Sequence, residues 1–209
     1  NLGNMDTELL LSSKKIITIS KGDIPEGVKT IKFDKDVIVT IKYTKDKSVF
    51  PNSVNTMLNF VCDDDYKNIK MPPNLKKIEF FISKNAAYKQ FQTLPEDFFP
   101  NGIKEILLAP NLILSDKLPE SLEILDLRHY HNSISLGSDF YFPGDKLHGK
   151  YILENLQHLK IDYVSNYSFI NNLPSNLKIL EIDYLNYSLK NLPIGLEQLV
   201  IKYYNQEIH

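Results

Sequence analysis

Leu118-Pro119-Glu120-Ser121-Leu122-Glu123-Ile124-Leu125-Asp126-Leu127 decides the fold, because its arrangement returns as Leu173-Pro174-Ser175-Asn176-Leu177-Lys178-Ile179-Leu180-Glu181-Ile182. With the proline as position zero, apolar residues stand at plus three, plus six and plus eight. The same offsets follow Pro25 (Val28, Ile31, Phe33), Pro72 (Leu75, Ile78, Phe80), Pro100 (Ile103, Ile106, Leu108) and Pro193 (Leu196, Leu199, Ile201). Leu153 replaces the proline before Leu156, Leu159 and Ile161. After Pro51, Val54 and Met57 fit, but Asn59 takes plus eight, and Leu58 with Phe60 suggests a one-residue bulge.

Plus six and plus eight are two apart, so on an extended strand both side chains share one face. Plus five, seven and nine then face the other way. Proline cannot donate to a ladder and holds its predecessor extended, so Leu-Pro suits the corner before each strand. One such unit cannot bury its apolar face alone, whereas stacked neighbours can. About eight repeats, spaced 19 to 34 residues apart, therefore predict a solenoid. It has one curved parallel sheet with one strand per repeat. The shorter intervals leave room on the return side only for extended or 3₁₀ turns and little helix.

The pattern resembles the leucine-rich repeat, and within it the FNIP-type repeat, in which Leu-Pro and spaced leucines lead into a Phe-Asn-Gln-Pro-Ile tail. Tyr204-Asn205-Gln206-Glu207-Ile208 is close to that tail, and Asn186-Tyr187-Ser188-Leu189, Asn166-Tyr167-Ser168-Phe169 and Asn132-Ser133-Ile134 are fragments of it. No copy has the family's glycine at plus nine. The resemblance covers residues 22 to 209 and implies a protein-binding module, with amoebal and large-DNA-virus proteins as its usual setting. Such repeats often accompany an F-box, for which residues 1 to 21 are too short. A role in a ubiquitin-ligase adaptor would need a further domain.

A formal charge of −2 gives no electrostatic reason to expect nucleic acid or an anionic membrane as partner. The single cysteine, Cys62, excludes an internal disulfide framework and fits a reducing compartment. Neither a signal peptide nor an apolar run of spanning length is visible, so the expectation is a cytoplasmic protein. Of 24 basic residues only Arg128 is an arginine, which leaves almost no bidentate arginine contacts for recognition.

Outside the repeats, residues 1 to 21 include Lys14-Lys15-Ile16-Ile17-Thr18-Ile19-Ser20, expected as a strand capping the first repeat. Val37, Val39, Ile41 and Tyr43 alternate with mostly polar residues and predict a strand or hairpin insertion. Ser83 to Gln90 suits two helical turns. The longest interval carries Phe140-Tyr141-Phe142-Pro143-Gly144-Asp145, a turn whose aromatics pack over the array or dock a partner.

No constellation carries catalysis, no glycine loop cradles a phosphate, and no cofactor or metal is expected. His129 and His131 lack a further ligand at metal spacing; Asp63-Asp64-Asp65 lacks the glycine and glutamate of a calcium loop and reads as a solvated acidic turn. His158 and Asp126 face outward with no nucleophile nearby. The outward columns say more. Tyr163, Tyr184 and Tyr203 stand at plus ten in the last three repeats, beside Asp162, Asp183 and Lys202 at plus nine. Stacked at strand spacing they make a tyrosine ladder at a rim of the concave sheet, and tyrosine suits interfaces through large area and a polar tip. A structural ladder that stabilises the turn is the competing reading. The leading expectation is a non-enzymatic module that binds a protein on this face. The second is a self-associating protein, with a homodimer through the C-terminal edge strand, since only eight residues follow Ile201.

Overall fold

The computed structural model describes residues 8–11, 16–34, 37–42, 44–45, 47–62, 64–81, 92–109, 112–114, 118–129, 155–163, 173, 175–185 and 188–204. The turns at the prolines come first. The plus-three N–H donates to the carbonyl of Pro25, Pro51, Pro72, Pro100, Pro119 and Pro193 at 3.0–3.3 Å, so each corner is a hydrogen-bonded turn. Strands follow at the positions the offsets predict: β3 (Thr30–Phe33), β5 (Thr56–Phe60), β6 (Lys77–Phe80), β8 (Glu105–Leu107), β10 (Ile124–Asp126), β11 (His158–Tyr163), β12 (Ile179–Leu185) and β13 (Gln198–Tyr204). With β1 (Glu8–Leu11) they form one nine-stranded sheet in the order β1-β3-β5-β6-β8-β10-β11-β12-β13, all parallel. This is a leucine-rich-repeat-like solenoid, one strand per turn. Its only described helix is a 3₁₀ turn, Tyr66–Asn68.

Burial follows the offsets. Ile31, Met57, Ile78, Ile106, Leu125, Leu159 and Leu180 at plus six are all inaccessible, as are most plus-three and plus-eight residues. The interrupted copy is a bulge: Met57 pairs with Ile78 but Phe60 with Phe80, so β5 carries one extra residue. Asn59 absorbs it at φ 58° and its side-chain amide donates to the Phe33 carbonyl at 3.3 Å. Asparagine tolerates that left-handed backbone better than a branched residue would.

A further regularity joins the repeats. At seven successive junctions the plus-four carbonyl accepts both the plus-four and plus-five N–H of the next repeat. Lys29 takes Asn55 and Thr56, and the row ends where Lys178 takes Glu197 and Gln198. Small or polar residues at plus two complete the corners, with Ser53 and Ser121 donating to the Val28 and Ile103 carbonyls at 2.7 Å.

The N-terminal segment departs from expectation. Glu8–Leu11 supplies a ninth rung ahead of the eight counted copies, paired in register with β3. Ile16–Ile19 (β2) is not in that sheet. It pairs in parallel with Ile38–Ile41 (β4) on the return side, so the alternation from Val37 to Ile41 is a second wall and not a hairpin. A second such pair joins Gln92–Thr93 (β7) to Leu112–Ile113 (β9). Strands on the return side suit short repeats, because an extended segment spans the turn in fewer residues than a helix does. The helical turns expected at 83–90 and the aromatic loop at 140–145 lie outside the described residues.

Candidate functional site

The outer face of the main sheet is a lattice of opposite charges. Lys77 lies 3.4 Å from Glu79 and 3.6 Å from Glu105, and Lys104 3.3 Å from Glu123. On β11 and β12, Glu181 is shared by His158 at 2.5 Å and Lys160 at 3.7 Å. Such half-exposed pairs contribute little each, and their mixed signs set no strong field.

One pair differs. Asp126 is buried although it stands at an outward position, because Arg128 lies over it with Nε 3.0 Å from Oδ1 and Nη2 2.7 Å from Oδ2. The Arg128 N–H also donates to Oδ1 at 3.1 Å. The hydrogen bond to Asp126, with Asp183 and Glu181 nearby, holds the guanidinium's pKa above its ordinary value. The chain's one arginine thus makes a bidentate contact inside the molecule. Two-residue spacing around a strand end was the signal in the sequence for this pair.

The tyrosine column is brought together at its outer end. Tyr163 pairs in backbone register with Tyr184, and Tyr184 with Tyr203. The rings of Tyr184 and Tyr203 stack with centroids 4.9 Å apart and planes 16° from parallel, yet 50% and 54% of their surface stays open to solvent. Strict alternation from plus six would turn plus ten inward. Instead the phase slips after Ile182, so that Leu185 is buried and Tyr184 exposed. Of the residues expected beside the ladder, Lys202 is exposed and Asp183 half-buried. Asp162 is buried and has a partner, so it presents no free carboxylate to a ligand.

Other sequence candidates resolve as structure. Asp64 accepts the Ile41 N–H at 2.6 Å, closing the return-side strand, and Asp65 caps the 3₁₀ turn by accepting the Lys67 N–H at 3.1 Å. Cys62 is a buried thiol whose N–H donates to the Tyr66 hydroxyl at 3.3 Å. Burial pushes the pKa of that hydroxyl well above the usual tyrosine value. Among the described residues no group of three or more His, Cys, Asp or Glu could hold a metal, and no helix is long and apolar enough to cross a membrane. An open groove of about 630 Å³ runs along the proline corners between Pro73, Phe99, Pro100 and Pro119; Asp97 at its mouth is paired to Lys70 at 3.2 Å.

No protein-family model matches this chain, and no curated protein matches it. Among solved structures it is similar to CroV588, described as a novel circular LRR protein, at 17% identity and a TM-score of 0.49. The match covers 93% of this chain and 33% of that one, so the chain spans about a third of that structure's length.

Proposed function

We propose that this chain is a non-enzymatic interaction module, a leucine-rich repeat array of the FNIP type, that binds a protein partner on the outer face of its sheet near Tyr163, Tyr184 and Tyr203. The observation that carries the reading is the half-exposed Tyr184–Tyr203 stack. Interface energy concentrates in a few aromatic anchors, and rings already stacked lose little freedom on binding. The same stack also ties two repeats together, so anchoring and binding share one element. With Asp162 withdrawn, the charge beside the ladder is Asp183 against Lys202, a mixed pair that favours a partner of matching mixed polarity and only modest salt dependence. The site belongs to a protein of the cytoplasm in this reading.

Affinity capture from native lysate with quantitative mass spectrometry tests it. Tyr184→Ala is expected to weaken a wild-type partner by about 2 kcal/mol, the range of an aromatic anchor, with Asp183→Lys intermediate and the melting curve nearly unchanged. Undiminished capture by both variants would move the site elsewhere on the array.

A further inference from the structure

Cations in the middle of the main sheet are matched by carboxylates. Lys77, Lys104, Arg128, His158 and Lys160 each lie within 3.7 Å of one. Lys29, Lys32 and Lys76, in the first and third proline-led copies, break that rule. All three are exposed, and among the described residues none has a carboxylate at ion-pair distance or a side-chain hydrogen bond. Positive charge is therefore left unmatched over β3, β5 and β6.

The fold fixes where these three stand. Lys29, Asn55 and Lys76 form one plus-four column, since the Asn55 N–H donates to the Lys29 carbonyl at 2.8 Å and the Lys76 N–H to the Asn55 carbonyl at 2.7 Å. Two strand spacings, about 10 Å, separate the two lysines. With no carboxylate to hold it, the Lys76 ammonium rests against the next corner, where a Cβ on Gly102 would meet it at 2.4 Å. Lys32 lies further along β3, in register with Leu58, an outward residue that is only half-buried. Between the columns the Thr56 hydroxyl donates to Asn55 Oδ1 at 2.8 Å, which leaves the Asn55 amide group to donate elsewhere. Glu79 and Glu105, both held by Lys77, bound the patch on its far side.

We infer that this patch binds a short acidic peptide segment of a partner protein, laid across β3, β5 and β6, with its carboxylates on Lys29, Lys32 and Lys76 and an apolar side chain on Leu58. Charge complementarity selects the occupant: three exposed ammonium groups lack the anions that every cation from Lys77 to Lys160 on this face has. A peptide fits better than a nucleic acid. Lysines are point charges without the planar fork that grips phosphate, and the patch ends at Glu79 and Glu105, which repel a polyanion continuing along the sheet. Leu58 supplies an apolar contact that a phosphate backbone does not use. The patch lies on other repeats than the tyrosine stack and stands or falls separately from it.

Fluorescence polarisation tests this with three labelled probes: a short peptide centred on Asp-Glu-Leu-Glu-Asp, the same peptide with lysine for each acid, and an oligothymidine of similar charge. The wild type is expected to bind the acidic peptide, more weakly as salt rises, and to ignore the basic one. Lys29→Glu with Lys76→Glu is expected to weaken the acidic peptide about tenfold or more, a loss of about 1.4 kcal/mol. Lys29→Arg with Lys76→Arg is expected to keep it. Lys178→Glu with Lys190→Glu changes the net charge equally at exposed sites elsewhere and is expected to have far less effect. Circular dichroism and the melting curve verify folding; if the glutamate pair unfolds, Lys29→Gln with Lys76→Gln takes its place. No binding of the acidic peptide, equal binding by wild type and the Lys29 and Lys76 double variant, or equal weakening by both glutamate pairs overturns the inference. Tighter binding of oligothymidine than of the peptide would show a nucleic-acid surface, and loss of the peptide in Tyr184→Ala would place it on the tyrosine stack; either result overturns it too.

Discussion

The two halves of the solenoid fill the same backbone offsets with different chemistry. In the N-terminal half the plus-eight place is aromatic: Phe33, Phe80 and, moved one residue on by the bulge, Phe60 line up, with Phe60 5.5 Å from Phe33 and 6.2 Å from Phe80. Phe50 and Tyr66 pack edge-on to Phe60, and Phe98 and Phe99 extend the cluster beyond Phe80. The return-side strand pairs also lie in this half. In the C-terminal half plus eight is Leu127, Ile161 and Ile182, and the stacked rings of Tyr184 and Tyr203 are exposed. Rings inside interlock the N-terminal core, whereas the Tyr184–Tyr203 stack leaves ring area open to solvent. The offsets set the fold, and the placement of aromatic volume differs between the two ends.

That contrast can be broken at Phe60. Phe60→Ala removes the ring touching four others and is expected to cost about 3–5 kcal/mol in urea unfolding, the range for deleting a buried phenylalanine. In the other half, Leu180→Ala is expected to cost about 2–5 kcal/mol. Leu199→Ala, at the same offset one rung later, is expected to cost less, about 1–2 kcal/mol in a dilute monomer, because 39% of that residue stays in water on folding. Equal costs at Leu180 and Leu199 would mean the last rung is covered.

Smaller effects sharpen the boundary between the halves. Asp126→Ala removes the bidentate carboxylate beneath Arg128 and is expected to cost about 1–3 kcal/mol. Asn59→Val forces a branched residue into the left-handed region at about 1–2 kcal/mol, while Asn59→Gly is expected to be near neutral. Tyr66 gives the smallest, pH-dependent effect. Its folded-state pKa is raised, so its contribution is complete below the unfolded tyrosine value of about 10 and is lost as pH rises beyond it. A melting temperature that falls less steeply above that pH in Tyr66→Phe than in wild type would bear this out.

Much of this was legible in the residues, for a physical reason. A strand's side-chain period of two is rigid, so Leu122, Leu125 and Leu127 announce their burial through spacing alone, and Asn59 between Leu58 and Phe60 announces its bulge. Glu8–Leu11 escaped because a single rung without a proline corner carries no repeat to compare with. Ile16–Ile19 read as a strand, but pairing partners across a turn of solenoid leave no trace in local sequence, so its place on the return wall did not follow. The tyrosine column was visible as a column. That Tyr184 faces out depends on a phase slip after Ile182, and that Asp162 is withdrawn while Asp183 is not depends on packing that periodicity does not encode.

Amide hydrogen exchange across the last two strands, in a solution dilute enough to hold the chain monomeric, tests most directly that the last rung keeps an open core face. Leu180 and Ile182 point their peptide groups at β13 and are expected to be protected, and so is Gln198, bonded to Lys178. Leu199 and Ile201 are expected to exchange near the rate of an unprotected peptide. Protection of Leu199 and Ile201 equal to that of Leu180 and Ile182 in the monomer would contradict an open edge.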